Sequence, residues 1–180
     1  MITLLKKELN GFFSSLIGYL SIIVFLLVMG LFVWIIPDTS VLDFGYATLE
    51  PFFFIAPMVL MFLIPAITMR MFSEEYNSGT IELLVTKPII DTQIIIAKFL
   101  ASFILVTFAL LPTLVYYYSV YQLGSPVGNI DTGAFIGSFL GLLGLSAGFT
   151  SIGLFCSSVT RNQIVSFIFG LFLCFFLYMG

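Results

Sequence analysis

Histidine does not occur among the 180 residues. Its absence removes the commonest general base, the usual metal ligand and any Ser-His or Cys-His nucleophile pair. Charge is nearly as scarce, because Asp, Glu, Lys and Arg make up 8% of the chain against 61% hydrophobic residues. A chain of that composition cannot present a soluble surface and reads as a membrane protein. Its formal net charge of −3 includes no basic run that could hold nucleic acid or acidic lipid strongly, so no nucleic-acid partner is expected. The two cysteines, Cys156 and Cys174, fall in apolar blocks, where they read as small buried hydrophobes rather than a disulfide or a metal site. No Gly-x-x-x-x-Gly-Lys-Ser/Thr phosphate loop is present. Any ATP chemistry must therefore belong to another chain.

What the sequence does contain is apolar blocks of spanning length. The first runs from Leu16 to Ile36, and at about 1.5 Å per residue it covers roughly 30 Å, the hydrocarbon thickness of a bilayer. It is too long for a signal-peptide core and no small-residue cleavage site follows it, so it reads as retained. Further blocks at residues 52–69, 99–120, 134–158 and 164–180 contain no Asp, Glu, Lys or Arg. The prediction is an all-α polytopic membrane protein, one transmembrane domain over residues 1–180 with five spans and lipid as its solvent.

All six basic residues fall on one side of these spans: Lys6, Lys7, Arg70, Lys87, Lys98 and Arg161. Asp38, Asp43, Glu50 and Asp131 fall on the other. By the positive-inside rule the N-terminus is cytoplasmic. Residues 1–15 place Leu5, Leu9, Phe12 and Phe13, with Leu16 beyond, at helical spacing, and Lys6, Lys7 and Asn10 elsewhere on the wheel. This is either an amphipathic interface helix or a plain extension of the first span. Pro57, Pro65 and Pro112 can kink their spans, although membrane helices also tolerate proline without consequence. In the fourth span Gly133, Gly137, Gly141, Gly144 and Gly148 include four-residue spacings that let another helix approach closely, from this chain or a second copy. Trp34, Phe52 to Phe54, Tyr116 to Tyr118 and Tyr121 read as interface anchors near the outer boundary.

The polar passage from Ser73 to Pro88 interrupts this pattern. The second span is expected to run on to Asn77, Ser78 and Gly79, a group suited to ending a helix with a left-handed residue. Thr80 can cap a short new helix bearing Ile81, Leu84 and Val85 on one face, with Glu82 elsewhere, until Pro88 forbids its continuation. Lys87 sits favourably at its negative end. Asp91, with Thr92 and Gln93, is expected to cap the next helix, which carries Lys98 into the third span.

At these residues a family resemblance enters. "EEYNSGTIELLVTKPI", Glu74 to Ile89, followed by "DTQIIIAKFLA", resembles the first cytoplasmic loop of ABC-2 type transporter permeases. "GLFCSSVTRNQIVSFI", Gly153 to Ile168, resembles their connection between the fourth and fifth spans. "LLKKELNGFFSSLIGYL" extends the likeness to the start of the chain, and the tone of the whole is nearest the permease associated with gliding motility. The resemblance implies the six-span fold of type V exporters, of which the sixth span is missing here and the fifth incomplete.

It also implies a permease half in a bacterial inner membrane, paired with a second half, identical or not, and with an ABC ATPase subunit that binds the ATP and magnesium. No cofactor would be bound directly, and no catalytic residue or metal site is expected. The loop at residues 73–91 would be the coupling region, with Glu74, Glu75, Gly79, Thr80, Ile81, Glu82, Leu83, Leu84, Thr86 and Pro88 at the ATPase. Arg161, Asn162 and Gln163 would make a second cytoplasmic contact, and Gly137, Gly141, Gly144 and Gly148 a helix-packing face. An ion-coupled transporter would carry ionisable residues within its spans, and none is seen in the blocks above. The glutamate pair resembles that of intramembrane CAAX-type proteases, which need an arginine where Gly79 stands and later histidines. A membrane anchor that recruits a soluble partner without transporting anything is the remaining alternative.

Overall fold

The computed structural model describes residues 2–37, 39–43, 45–80 and 90–180, and among them the chain is helical with no strand. In order come α1 (Ile2–Phe13), α2 (Leu16–Trp34), α3 (Glu50–Thr68), α4 (Arg70–Asn77) and α5 (Asp91–Leu110). A 3-10 turn (Leu111–Thr113), α6 (Leu114–Leu123), α7 (Thr132–Val159) and α8 (Gln163–Met179) follow. Among the described residues four helical stretches are long and apolar enough to cross a membrane: Leu16–Trp34, Glu50–Asn77, Asp91–Leu123 and Thr132–Val159. The fifth expected block forms α8, a shorter apolar helix of 17 residues.

Polar residues mark several of the helix starts. Ser15 accepts a hydrogen bond from the Gly18 amide at 3.1 Å, Asp131 from Ala134 at 3.0 Å and Asn162 from Ile164 at 2.9 Å, each satisfying an amide that its helix leaves unpaired. Between α1 and α2 a Cβ at Gly18 would lie 2.6 Å from the Phe12 carbonyl oxygen, so the elbow closes only around glycine. Pro112 sits in the 3-10 turn that divides α5 from α6, the expected disturbance of the third span. Asp91 is not the cap of α5. That position is held by Ile90, which makes no side-chain cap bond, and Asp91 begins the first turn, where its charge faces the positive end of the helix dipole.

α3 lies at the centre and packs against α2, α5, α7 and α8. Its Leu60 and Ile64 are fully buried with Phe25, Met29 and Val33 of α2, Leu105 and Val106 of α5, and Phe149 of α7 in one apolar core. In lipid such a core is held by close packing rather than by expulsion of water. Small residues are needed where helices touch, and they are not the ones the spacing picked out. A Cβ at Gly153 of α7 would lie 2.1 Å from Thr68 Oγ1, and one at Gly170 of α8 would lie 3.3 Å from Pro65 Cβ. At Gly137, Gly141, Gly144 and Gly148 a Cβ would meet nothing within 4 Å. That stripe is exposed and makes no close approach among the described residues.

The two ends of the bundle differ in chemistry. One end carries Asp43, Glu50 and Asp131 and an aromatic network. There Tyr116 meets Trp34 at 6.0 Å and Phe52 at 6.1 Å between ring centroids, and Tyr117 meets Phe135 at 4.4 Å. These rings join α2, α3, α6 and α7, so they are internal ties as well as boundary residues; Phe54 and Tyr118 remain exposed. The other, basic end carries Lys6, Lys7, Arg70, Lys98 and Arg161. Here α1 packs on α5 through Leu4, Ile94 and Ala97, while Leu16 lies outside α1 and is exposed at the start of α2.

Candidate functional site: a buried charge cluster at the basic end

α4, the continuation of α3 past its break at Met69, brings Glu75 inward toward α1 and α5. Lys98 meets it from the second turn of α5 with no solvent exposure at all (0%), on a stripe that also buries Ile94, Ala97, Ala101 and Ser102. Its Nζ lies 2.9 Å from Glu75 Oε2 and donates to Glu8 Oε1 of α1 at 3.0 Å and to the Met71 carbonyl. The contact with Glu75 is an ion pair rather than an aligned hydrogen bond. All three ammonium hydrogens thus have an acceptor nearby. The ammonium also stands 4.9 Å from the centre of the Phe72 ring, a cation–π contact.

Lys7 completes the cluster, donating to Glu75 Oε1 at 2.9 Å from a side chain that is 57% exposed. Two lysines and two glutamates therefore balance to zero across α1, α4 and α5. Burial alone would lower the Lys7 pKa, but the hydrogen bond to Glu75 and the charges of Glu75, Glu8 and Glu74 outweigh it and hold it above the ordinary lysine value. Arg70 grips Glu74 with a forked pair of bonds at 2.9 and 3.0 Å, one turn apart on the same helix. A cavity of about 280 Å³ opens beside these groups, lined among others by Lys7, Glu8, Arg70, Glu74 and Thr80.

A second set of contacts joins α4 to the C-terminal end of α7. Ser157 accepts from the Phe72 and Ser73 amides at 3.0 and 3.3 Å and donates to the Met69 carbonyl at 3.1 Å. Ser73 donates in turn to the Thr160 carbonyl at 2.8 Å.

A family model described as ABC-2 family transporter protein matches residues 2–180. The chain belongs to that family. No curated protein and no solved structure matches it. Family membership makes it a transmembrane permease component of an ABC-2 transporter, a class served in general by an ABC ATPase.

Within this ABC-2 permease the residues expected at the coupling region are only partly in view. Ile81, Glu82, Leu83, Leu84, Thr86 and Pro88, with Val85 and Lys87, lie outside the described residues. Gly79 ends α4 with φ of +68°, the left-handed value expected of it, and Thr80 bonds Ser78 through their hydroxyls at 2.8 Å. Glu74 and Glu75, adjacent in sequence, have different surroundings: Glu74 is exposed against Arg70 and Glu75 is buried. Of the second contact, Arg161 is exposed, Asn162 is the cap of α8 and Gln163 is its first residue.

The apolar blocks themselves hold no ionisable group, but the helices that contain them extend beyond the blocks. α5 begins at Asp91, so Lys98 lies inside it, on the buried face. Glu8 and Ser157 were not singled out from sequence, and Lys7, Lys98 and Ser73 were placed at this end of the chain without the contacts they make here. The legible signal was Lys98 itself, a lone cation on an apolar helical stripe, which requires a buried counter-ion.

Proposed function

We propose that this permease half works in a bacterial inner membrane with its N-terminus in the cytoplasm, alongside a second permease half and a separate ATPase that holds ATP and magnesium. The observation that carries the reading is the neutral cluster of Lys7, Glu8, Glu75 and Lys98, in which Glu75 and Lys98 are buried. The connection between α4 and α5 leaves just beyond Glu75 and rejoins about two helical turns before Lys98. A force applied to it is passed to α1, α3–α4 and α5 together, because separating them would strand a buried charge, at a cost of about 3–5 kcal/mol. Glu74, Gly79, Thr80 and the residues from Ile81 to Pro88 then form the contact with the ATPase, and Arg161, Asn162 and Gln163 a second one. A place in the gliding-motility branch rests on the overall likeness of the chain rather than on one motif, and export as the direction rests on the type V exporter fold that the resemblance implies.

Co-purification with a nucleotide-binding subunit tests the proposal. The complex is expected to form with the intact chain, to be lost on deleting residues 80–86, and to lose stimulated ATP turnover in Gly79→Val, where φ of +68° is hostile to a β-branched residue. An intact complex after the deletion refutes the coupling assignment.

A further inference from the structure

A new helix begins at Arg70, and its first amides have no partners within it. The residue at the capping position, Met69, makes no side-chain cap bond. Ser157 does that work from another helix: its hydroxyl takes the Phe72 amide, the third residue of α4, which is where a capping serine normally bonds. The service is returned, since Ser73 of α4 donates to the carbonyl of Thr160, the C-cap of α7. Each helix caps the other. Gly153, one turn before Ser157, is what allows the approach, because any Cβ there would collide with Thr68 Oγ1 at 2.1 Å.

We infer that Ser157 and Ser73 are positioning residues of a joint that opens and closes as the transporter turns over, an inference that rests on the proposed coupling to an ATPase. The bonds that Ser157 makes in the joint have local substitutes. If α3 and α4 straighten into one helix, the Phe72 amide returns to the Thr68 carbonyl, four residues back. Ser157 can then bond the Gly153 carbonyl, as Thr150 and Ser151 already bond the carbonyls four residues before them at 2.7 and 3.1 Å. Exchanging partners without orphaning a buried group changes the free energy little, which is what a bistable element needs. The joint also links the two connections at the basic end, so a push on either reaches the other.

The test uses the complex with its ATPase, with Cys156 and Cys174 replaced by alanine and the pair Ser73→Cys and Ser157→Cys introduced. The native hydroxyl oxygens lie 3.4 Å apart, within reach of a disulfide after small adjustment. Cross-linking is expected to be at least about fivefold slower in one nucleotide state than in the other, a ratio equivalent to one net hydrogen bond. ATP turnover should fall when the bond forms and recover on reduction. Ser157→Ala should shift the balance of states by a similar factor, whereas Ser158→Ala, whose hydroxyl bonds Phe155 in its own helix at 2.7 Å, should not. A complex that cross-links equally fast with and without ATP, and turns over normally when cross-linked, overturns the joint alone. If no complex forms with the cysteine-free parent, the ATPase reading fails and the joint with it.

Discussion

Replacing Lys98 with methionine keeps the apolar stem against Phe72 and removes only the charge. The ammonium is 0% exposed, and the carboxylates it serves, Glu8 and Glu75, are 13% and 9% exposed. After the change they share Lys7 alone, and a neutral cluster becomes one of net charge −1. Breaking a buried pair from one side strands its partner, so Lys98→Met should destabilise the fold by about 3–5 kcal/mol. Glu75→Gln alone leaves the opposite excess, but Lys7 is largely in water, and the loss should be nearer 1–3 kcal/mol. The double variant is neutral again, with Lys7 4.0 Å from Glu8. It should therefore be more stable than the sum of the single losses predicts, by about 1–3 kcal/mol. The chain has one tryptophan, Trp34, packed on Tyr116 at the far end of the bundle. Its emission during titration with a denaturing detergent in mixed micelles reports unfolding without an introduced probe. Strict additivity, or a Lys98→Met loss below about 1 kcal/mol, would show that the cluster is solvated and does not bind the three helices.

Much of the architecture could be read from the chain because a bilayer leaves few options. An apolar run of spanning length must satisfy its backbone internally, so runs of that length become helices, and Gly79 and Pro112 mark breaks by geometry that they alone permit or impose. The site was harder to read, for reasons that differ by residue. Glu74 and Glu75 are indistinguishable as a pair, yet successive residues on a helix point about 100° apart, and only the position of α1 and α5 decides which one is buried. Lys98 lay one residue outside a block drawn by hydropathy, although its companions Ile94, Ala97, Ala101 and Ser102 form a stripe at helical spacing that includes it. Ser157 and Ser73 are 84 residues apart and carry no local pattern, since a serine that caps a distant helix looks like any serine. The glycines show the converse. Spacing at Gly137 to Gly148 describes a surface that could be approached, but the chain's own helices come close at Gly153 and Gly170, because the approach is set by where the end of α3 places Pro65 and Thr68.

Two further outcomes separate these interpretations. Gly153→Ala places a Cβ 2.1 Å from Thr68 Oγ1 and should cost about 1–3 kcal/mol through overpacking. Gly141→Ala, in open space, should be neutral or stabilise the helix by up to about 1 kcal/mol. Melting temperatures in detergent order the two, and an equal loss in both would mean that the exposed stripe is packed against another chain. The last outcome concerns pH. The folded-state pKa of Lys7 is raised above its ordinary 10.5, so its contribution is fully present below that value and is lost as pH rises through the folded one. Stability should therefore decline above about pH 10.5, and Lys7→Met should show a shallower alkaline decline than the parent. An alkaline limb of the same slope in both proteins would mean that Lys7 gains nothing from Glu75, and that the cluster rests on Lys98 alone.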